Sequence, residues 1–169
     1  MAIPGNADRE MTPLEVFHRC LETLKANRVC ALGTSLEAKP RVRAMEYATD
    51  DSGIIYMLTE GGRKVRDILL NPNVSLAVWE TGESRKTGDE GTGLRGLTIT
   101  ARAEIVDPGD GGRFGTYYDE YLRYIGREAP AIDMLPRTVK LIRVIPDIME
   151  LFDPSLQVEG YSSKQVWRR

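Results

Sequence analysis

The sequence predicts a mainly-β fold of antiparallel strands, a barrel or a sandwich rather than a doubly wound sheet. Three observations carry this. Short apolar or alternating runs recur from Arg28 onward. Turn residues separate them at hairpin spacing, most clearly Asp50-Asp51-Ser52-Gly53. Helical periodicity is confined to a few segments that fall at the ends of the strand region and across one opening of it.

Met1 to Glu10 is polar, carries Pro and Gly, and reads as a loose arm. Thr12-Pro13 supplies an N-cap followed by proline at the first helical position, and Leu14, Phe17, Leu21 and Leu24 follow at helical spacing up to Asn27. Residues 28–35 form a first strand, and Glu37-Ala38-Lys39-Pro40 a turn. Residues 40–48 form a second strand, with Val42, Ala44 and Tyr47 alternating among charged residues, and 53–60 a third. Glu60-Gly61-Gly62 breaks the sheet. Residues 63–71 then place Val65, Ile68 and Leu69 on one helical face, stopped by Asn71-Pro72. Strands are expected over 74–80, 94–107 and 139–153, the last bent at Pro146. Residues 81–93 are polar and glycine-rich and read as a flexible loop. Residues 114–127 form a helix whose aromatic stripe, Phe114, Tyr117, Tyr118, Tyr121 and Tyr124, reads as core or dimer packing. A short helical piece is expected over 129–137 and an irregular tail over 154–169. The count is six strands. No repeat or linker divides the chain, so residues 1–169 are expected to form one domain.

The chain has 169 residues, 41% hydrophobic and 28% charged, with a formal net charge of −2. This composition suits a globular protein and gives no bulk attraction to nucleic acid or anionic lipid. No apolar run reaches the roughly 20 residues a membrane-spanning helix needs, and no basic segment leads into an apolar one at the start. Cys20 and Cys30 form no CxxC pair, and His18 is the one histidine, so a four-ligand zinc site is not expected. Two isolated cysteines read as buried cytoplasmic thiols.

The sequence lacks GxGxxG opening a helix, GxxxxGK[ST], HExxH and GxSxG, and no pair of carboxylates stands out as general acid and base. What stands out is a basic cluster. Arg43 lies in the second strand, and Arg63 and Lys64 open the helix after Gly61-Gly62. Cations are unfavourable in the first turn of a helix, whose free N–H groups carry positive partial charge. They make sense there if an anion sits among them, and a phosphate fits: guanidinium fork, ammonium point charge and the Thr59 hydroxyl. Charge alone leaves open that Arg63 and Lys64 are solvated surface residues.

The ordered runs KPRVRAMEY, IIYMLTEGGRKVRDILLNPNVSLAVWE and GLTITARAEIVD resemble the FMN-binding split-barrel family typified by pyridoxamine 5'-phosphate oxidase. The likeness covers about residues 28–107, and VIPDIMELFDPSLQVEGYSSKQVW resembles the family's last strand and tail. It implies a six-stranded antiparallel split β-barrel that works as a homodimer, with FMN in clefts between subunits and a small-molecule substrate or redox partner. By position, Arg43, Arg63 and Lys64 would hold the FMN phosphate and ribityl chain. Ala44, Met45 and Glu46 would run beside the isoalloxazine ring, Leu58 and Thr59 would line the phosphate end, and Trp79 is a candidate contribution from the second subunit. As a core aromatic, Trp79 would equally satisfy the pattern. The tail carries Trp167, Arg168 and Arg169 but no histidine, a departure that argues against pyridoxamine phosphate oxidase activity proper. The resemblance implies an FMN-dependent oxidoreductase. A flavin carrier without turnover, or the same barrel holding deazaflavin F420 or haem, are the other readings.

Overall fold

The computed structural model describes residues 9–80, 95–126, 128 and 130–169. The polar segment 81–93 and all but the last two residues of the N-terminal arm lie outside them.

Helix α1 (Pro13–Ala26) begins where the sequence places it. The Thr12 side chain accepts a bond from the Glu15 N–H, and Glu15 reaches back to the Thr12 N–H, a complete capping box. The strands are β1 (Val29–Leu36), β2 (Lys39–Glu46), β3 (Ala48–Thr49), β4 (Ile55–Glu60), β5 (Asn73–Trp79), β6 (Gly96–Val106), β7 (Val139–Phe152) and β8 (Lys164–Arg168). Helices α2 (Arg63–Leu70) and α3 (Gly112–Ile125) complete the regular elements. All strand pairs are antiparallel, in the order β2-β1-β5-β6-β7-β4-β3, with β8 also on β7.

This is a split β-barrel, with eight strands among the described residues where the sequence suggested six. One addition comes from the run Lys39–Thr49, which pairs with β1 over its first part and with β4 over its last two residues. The break is at Tyr47, whose N–H still bonds the Arg28 carbonyl (2.9 Å) and whose hydroxyl donates to the Leu24 carbonyl (2.8 Å). One length of chain thus joins the two ends of the sheet order. The other addition is β8, in the tail expected to be irregular. There Gln165 turns inward, alternating with exposed Lys164 and Val166, over too few residues for the pattern to stand out from the turns before it. Residues 132–134 form a single 3-10 turn in place of the expected helical piece.

Strand β7 carries β6 along one edge and divides the other between β4, on residues 139–144, and β8, on residues 148–152. The division coincides with a bulge next to Pro146 that leaves Asp147 without a partner on β6. Arg169 ties this point down, donating from Nε to the Pro146 carbonyl (2.8 Å) and from its backbone to the Asp147 carbonyl (3.0 Å). Buried Asp153 anchors the start of the tail by accepting from Arg95 (2.7 Å) and from the Ser155 N–H (3.0 Å).

Two cores result. The larger fills the barrel, with Leu32, Ile55, Met57, Leu76, Leu97, Ile99 and Met149, and is closed at one end by Val16, Cys20 and Leu24 of α1 and at the other by Ile68 of α2. The second lies outside β3, β4 and β7, where Phe114, Tyr118, Tyr121 and Ile125 of α3 pack on Ala48, Tyr56 and Leu141. The aromatic stripe is therefore core. Both thiols are buried, which pushes their pKa up to about 12 and keeps them protonated and inert.

Among the described residues, no helix covers the outer face of β2, β1, β5 and β6. Three cross-strand rows lie there: Ala44–Ala31–Ala77–Thr98, Val42–Gly33–Ser75–Thr100, and Trp79–Gly96 running on to Phe152. These three rows are uncharged, with Val42 70% and Trp79 47% exposed, and are flanked on the same face by Glu46 and Arg102.

Among the described residues, the β1–β2 turn is the one place where residues with side chains take left-handed backbone: Glu37 at φ 52° and Ala38 at φ 58°. Two such residues in a two-residue hairpin give the geometry that glycine and asparagine favour. Ala38→Gly is expected to stabilise the protein by about 0.5–1 kcal/mol, read as a higher urea midpoint at unchanged slope.

Candidate functional site

The barrel end closed by α2 gathers the basic residues. Inward and outward side chains alternate along β2, and the register fixes which are which. Arg41 pairs with Thr34 and Arg43 with Leu32, both of them buried, while Val42 and Ala44 face out. Arg41 and Arg43 therefore point toward α2. On β4 the inward set is Ile55, Met57 and Thr59, so Thr59 shares that end.

A buried carboxylate organises the cluster. Asp67 of α2 is 2% exposed, accepts from the Thr34 hydroxyl (3.0 Å), and takes Arg41 Nη1 on both oxygens (2.9 Å each). Burial alone would raise its carboxyl pKa. The Thr34 and Arg41 hydrogen bonds, with the charges of Arg41 and Arg43, reverse that and hold it below the ordinary value. Arg41 is thus committed to Asp67, and Arg43 is not. Arg43 Nε is buried and has no hydrogen-bond partner. Among the described residues no carboxylate lies within ion-pair distance of Arg43, Arg63 or Lys64.

Lys64 shows what this arrangement costs. Its ammonium pKa is lowered first by desolvation and second by the charge of Arg43, with Glu60 pulling the other way. Two cations thus face each other in a partly dry setting. The start of α2 adds free N–H groups: Gly62 at the N-cap makes no side-chain cap bond and the first turn holds no acid. Gly62 sits at φ 96°, which excludes a side chain there. Arg43, Lys64, inward Thr59 and the bare helix start together form a cradle whose chemistry suits a doubly charged oxyanion.

The other residues singled out from sequence divide. Arg63 is exposed at the first position of α2. Met45 packs against the barrel core, Ala44 lies on the outer face, and Glu46 ends β2 at the opposite end of the barrel. The Leu58 side chain packs with the α3 core, on the other side of β4 from Arg43. Trp79 ends β5 on the outward side of the sheet, three residues or about 10 Å along the strand from Leu76, which the register sets in line with Leu32 and Arg43, so within one chain its side chain faces away from the cradle. His18 is exposed on α1. Among the described residues no three His, Cys, Asp or Glu side chains converge as a metal site, and no helix is long and apolar enough to cross a membrane.

Sequence reasoning missed Arg41, Thr34 and Asp67. Arg41 was within reach of it, since it is two residues from Arg43 on a strand and must share its face. Asp67, an acid beside Ile68 on the apolar face of α2, was a second signal.

Comparison with known proteins bears on this geometry. Residues 17–147 match the family model described as pyridoxamine 5'-phosphate oxidase. The chain belongs to the pyridoxamine 5'-phosphate oxidase family. No curated protein matches it. Among solved structures, an FAD-binding protein from Mesorhizobium loti is similar at TM-score 0.61 and 23% identity, over 83% of this chain and 92% of that one. The conserved hypothetical protein Rv2991 from Mycobacterium tuberculosis is similar at TM-score 0.63 and 22% identity, over 92% and 93%. A heme binding protein from Mycobacterium smegmatis matches at TM-score 0.61 and 14% identity, over 88% of this chain and 57% of that one. At these identities the likeness is one of fold. The matched segment of this family member contains the whole cradle, from Arg41 to Asp67.

A lowered ammonium pKa means that the folded protein holds the Lys64 proton less tightly than the unfolded chain. Below that native value the charge opposes folding, and the penalty fades as pH rises through it. In ligand-free protein at neutral pH, Lys64→Met is therefore expected to raise the melting temperature. Inorganic phosphate should raise that of wild type and leave the variant unmoved. Thermal denaturation with and without phosphate reads both.

Proposed function

We propose that this protein is a flavoprotein whose cradle binds the 5'-phosphate of a flavin, FMN being the smallest cofactor with that group. We further propose that it acts as an oxidoreductase on a small molecule or redox partner. One observation carries the reading: Arg43 and Lys64, two unneutralised cations at the bare start of α2, with Arg43 Nε buried and unpartnered. A phosphate dianion satisfies that nitrogen, reverses the Lys64 shift and occupies the free N–H groups. Family membership and the FAD-binding fold relative support the choice of a flavin among phosphates.

Bound flavin would supply the redox chemistry; the protein binds, orients and shields it. Arg43 and Lys64 hold the phosphate, Asp67 keeps Arg41 engaged so that Arg43 alone faces the anion, and Thr59 offers a hydroxyl. The haem reading draws on one fold relative, but the chain's single histidine, His18, is exposed on α1, away from the cradle.

The visible spectrum of freshly purified protein, with heat release and identification of the chromophore, tests this directly. Flavin absorbance at one equivalent per subunit is expected. Arg43→Ala and Lys64→Ala should each weaken flavin binding about tenfold or more while keeping the far-UV spectrum, as loss of a charge-assisted bond predicts. Full flavin retention in both variants would refute the cradle assignment.

The reading also takes the protein as a homodimer. The uncharged rows on the outer face of β2, β1, β5 and β6, with exposed Val42, Trp79 and Phe152, are the surface that would meet a second copy. A partner's Trp79 would then be the one able to approach a cofactor. Sedimentation should give a dimer for wild type and a monomer for Ala77→Arg, which sets two like charges against each other across a two-fold contact. A monomeric wild type would remove the dimer from the proposal.

A further inference from the structure

Among the described residues two carboxylates are buried, Asp67 and Asp153. Asp153 anchors the tail. Asp67 stands instead at the barrel end where Arg41, Arg43 and Lys64 converge. Its position is well fixed: both oxygens take Arg41 Nη1 at 2.9 Å, and Oδ2 also accepts from the Thr34 hydroxyl at 3.0 Å. Arg41 and Arg43 are two residues apart on one strand, about 7 Å along it, and share a face. The Arg43 charge therefore also acts on the Asp67 carboxyl.

A buried ion pair returns little net stability over apolar packing of the same shape. Its effect on an arriving anion is larger. Arg41, Arg43 and Lys64 are three cations and Asp67 is one anion among them, so this inner surface carries a net charge of +2. Glu60 and Arg63, both exposed beside the start of α2, are of opposite sign and offset each other. A phosphate monoester dianion balances the remaining charge. With position 67 neutral, the same surface would carry +3 and a second arginine would be free to bind.

We propose, on the reading that the cradle holds a flavin phosphate, that Asp67 is a positioning residue serving as the cradle's built-in counter-anion. It withholds Arg41 from the ligand and limits the charge the ligand meets to that of one dianion. Phosphate is thereby bound less tightly, and with more discrimination by charge, than the same cations alone would bind it. The pair has a converse. Without Arg41, Asp67 keeps its Thr34 bond and turns its charge on the remaining inward arginine, Arg43, which is the residue the ligand needs.

Calorimetric titration of cofactor-free protein with inorganic phosphate and with pyrophosphate tests this, in wild type, Asp67→Asn, Arg41→Gln and the double variant. Asparagine is close in shape to aspartate, and its carbonyl oxygen still accepts from Thr34 and Arg41. Asp67→Asn is expected to tighten phosphate about tenfold and pyrophosphate, with its further charge, by more. Arg41→Gln should weaken phosphate about tenfold although Arg41 is not a phosphate ligand, and the double variant should return to within about threefold of wild type. A residue needed only for packing would not tighten binding when replaced, and would not move the ratio between the two anions. Phosphate binding that is unchanged or weaker in Asp67→Asn, an unaltered ratio, or Arg41→Gln binding phosphate as wild type does, would each overturn the proposal and leave the cradle standing. Failure of wild type to bind either anion would remove the cradle reading and the proposal with it. Should Arg41→Gln not fold, because Asp67 is left buried and unpaired, the affinities and ratio in Asp67→Asn decide alone.

Discussion

The structure depends on one length of chain, Lys39–Thr49, belonging to both edges of the sheet. Its first part is hydrogen-bonded to β1 and its end to β4, and Tyr47 marks the transfer while binding Leu24 of α1 through its hydroxyl. An open sheet of this kind would expose two rows of unpaired backbone groups and half of its apolar interior. Joining the edges removes that exposure and creates a barrel with two ends, each of which needs a cover. The amphipathic helices α1 and α2 are those covers.

The same segment positions the candidate site. Strand alternation sends Arg41 and Arg43 into the barrel end that α2 closes, where full hydration is denied them. Arg41 is matched by Asp67, which Thr34 also bonds; Arg43 Nε is buried without a hydrogen-bond partner, and among the described residues no carboxylate lies within ion-pair distance of Arg43. A satisfied buried ion pair beside an unsatisfied cation is a poor device for stability, because the second charge is desolvated without return. It is a reasonable device for binding, because part of the desolvation precedes the anion's arrival and the interaction is less diluted by water. The uncapped start of α2 and Gly62 in a backbone region closed to other residues act in the same direction.

On the proposed flavin reading, the chain needs no acid–base constellation of its own. A protein that binds a redox cofactor has to provide a phosphate anchor, a shaped cleft and an interface, and these are made of backbone groups, cations and small residues, which carry no short motif. The outer face of Ala31, Ala44, Ala77 and Thr98 is an example. No sequence motif marks these residues as a surface, and only their shared register makes one.

By itself the sequence determined the local structure. The Thr12 capping box, the Asn71-Pro72 stop of α2, the alternation of β5 and β6, and the aromatic stripe of α3 all follow from period and capping chemistry acting within a few residues. It also marked Arg43, Arg63 and Lys64 as cations in need of an anion. It did not separate Arg43 from Arg41, or Lys64 from Arg63, or assign strand character to Ala48–Thr49 and Lys164–Arg168, because those distinctions depend on partners tens of residues away. Asp67 neutralises one arginine 26 positions earlier and leaves its neighbour free. β8 exists because β7 has an edge that β4 leaves vacant beyond the bulge at Asp147. Local free energies are read along the chain, whereas charge pairing and edge filling are settled across it, and those only the tertiary structure decided.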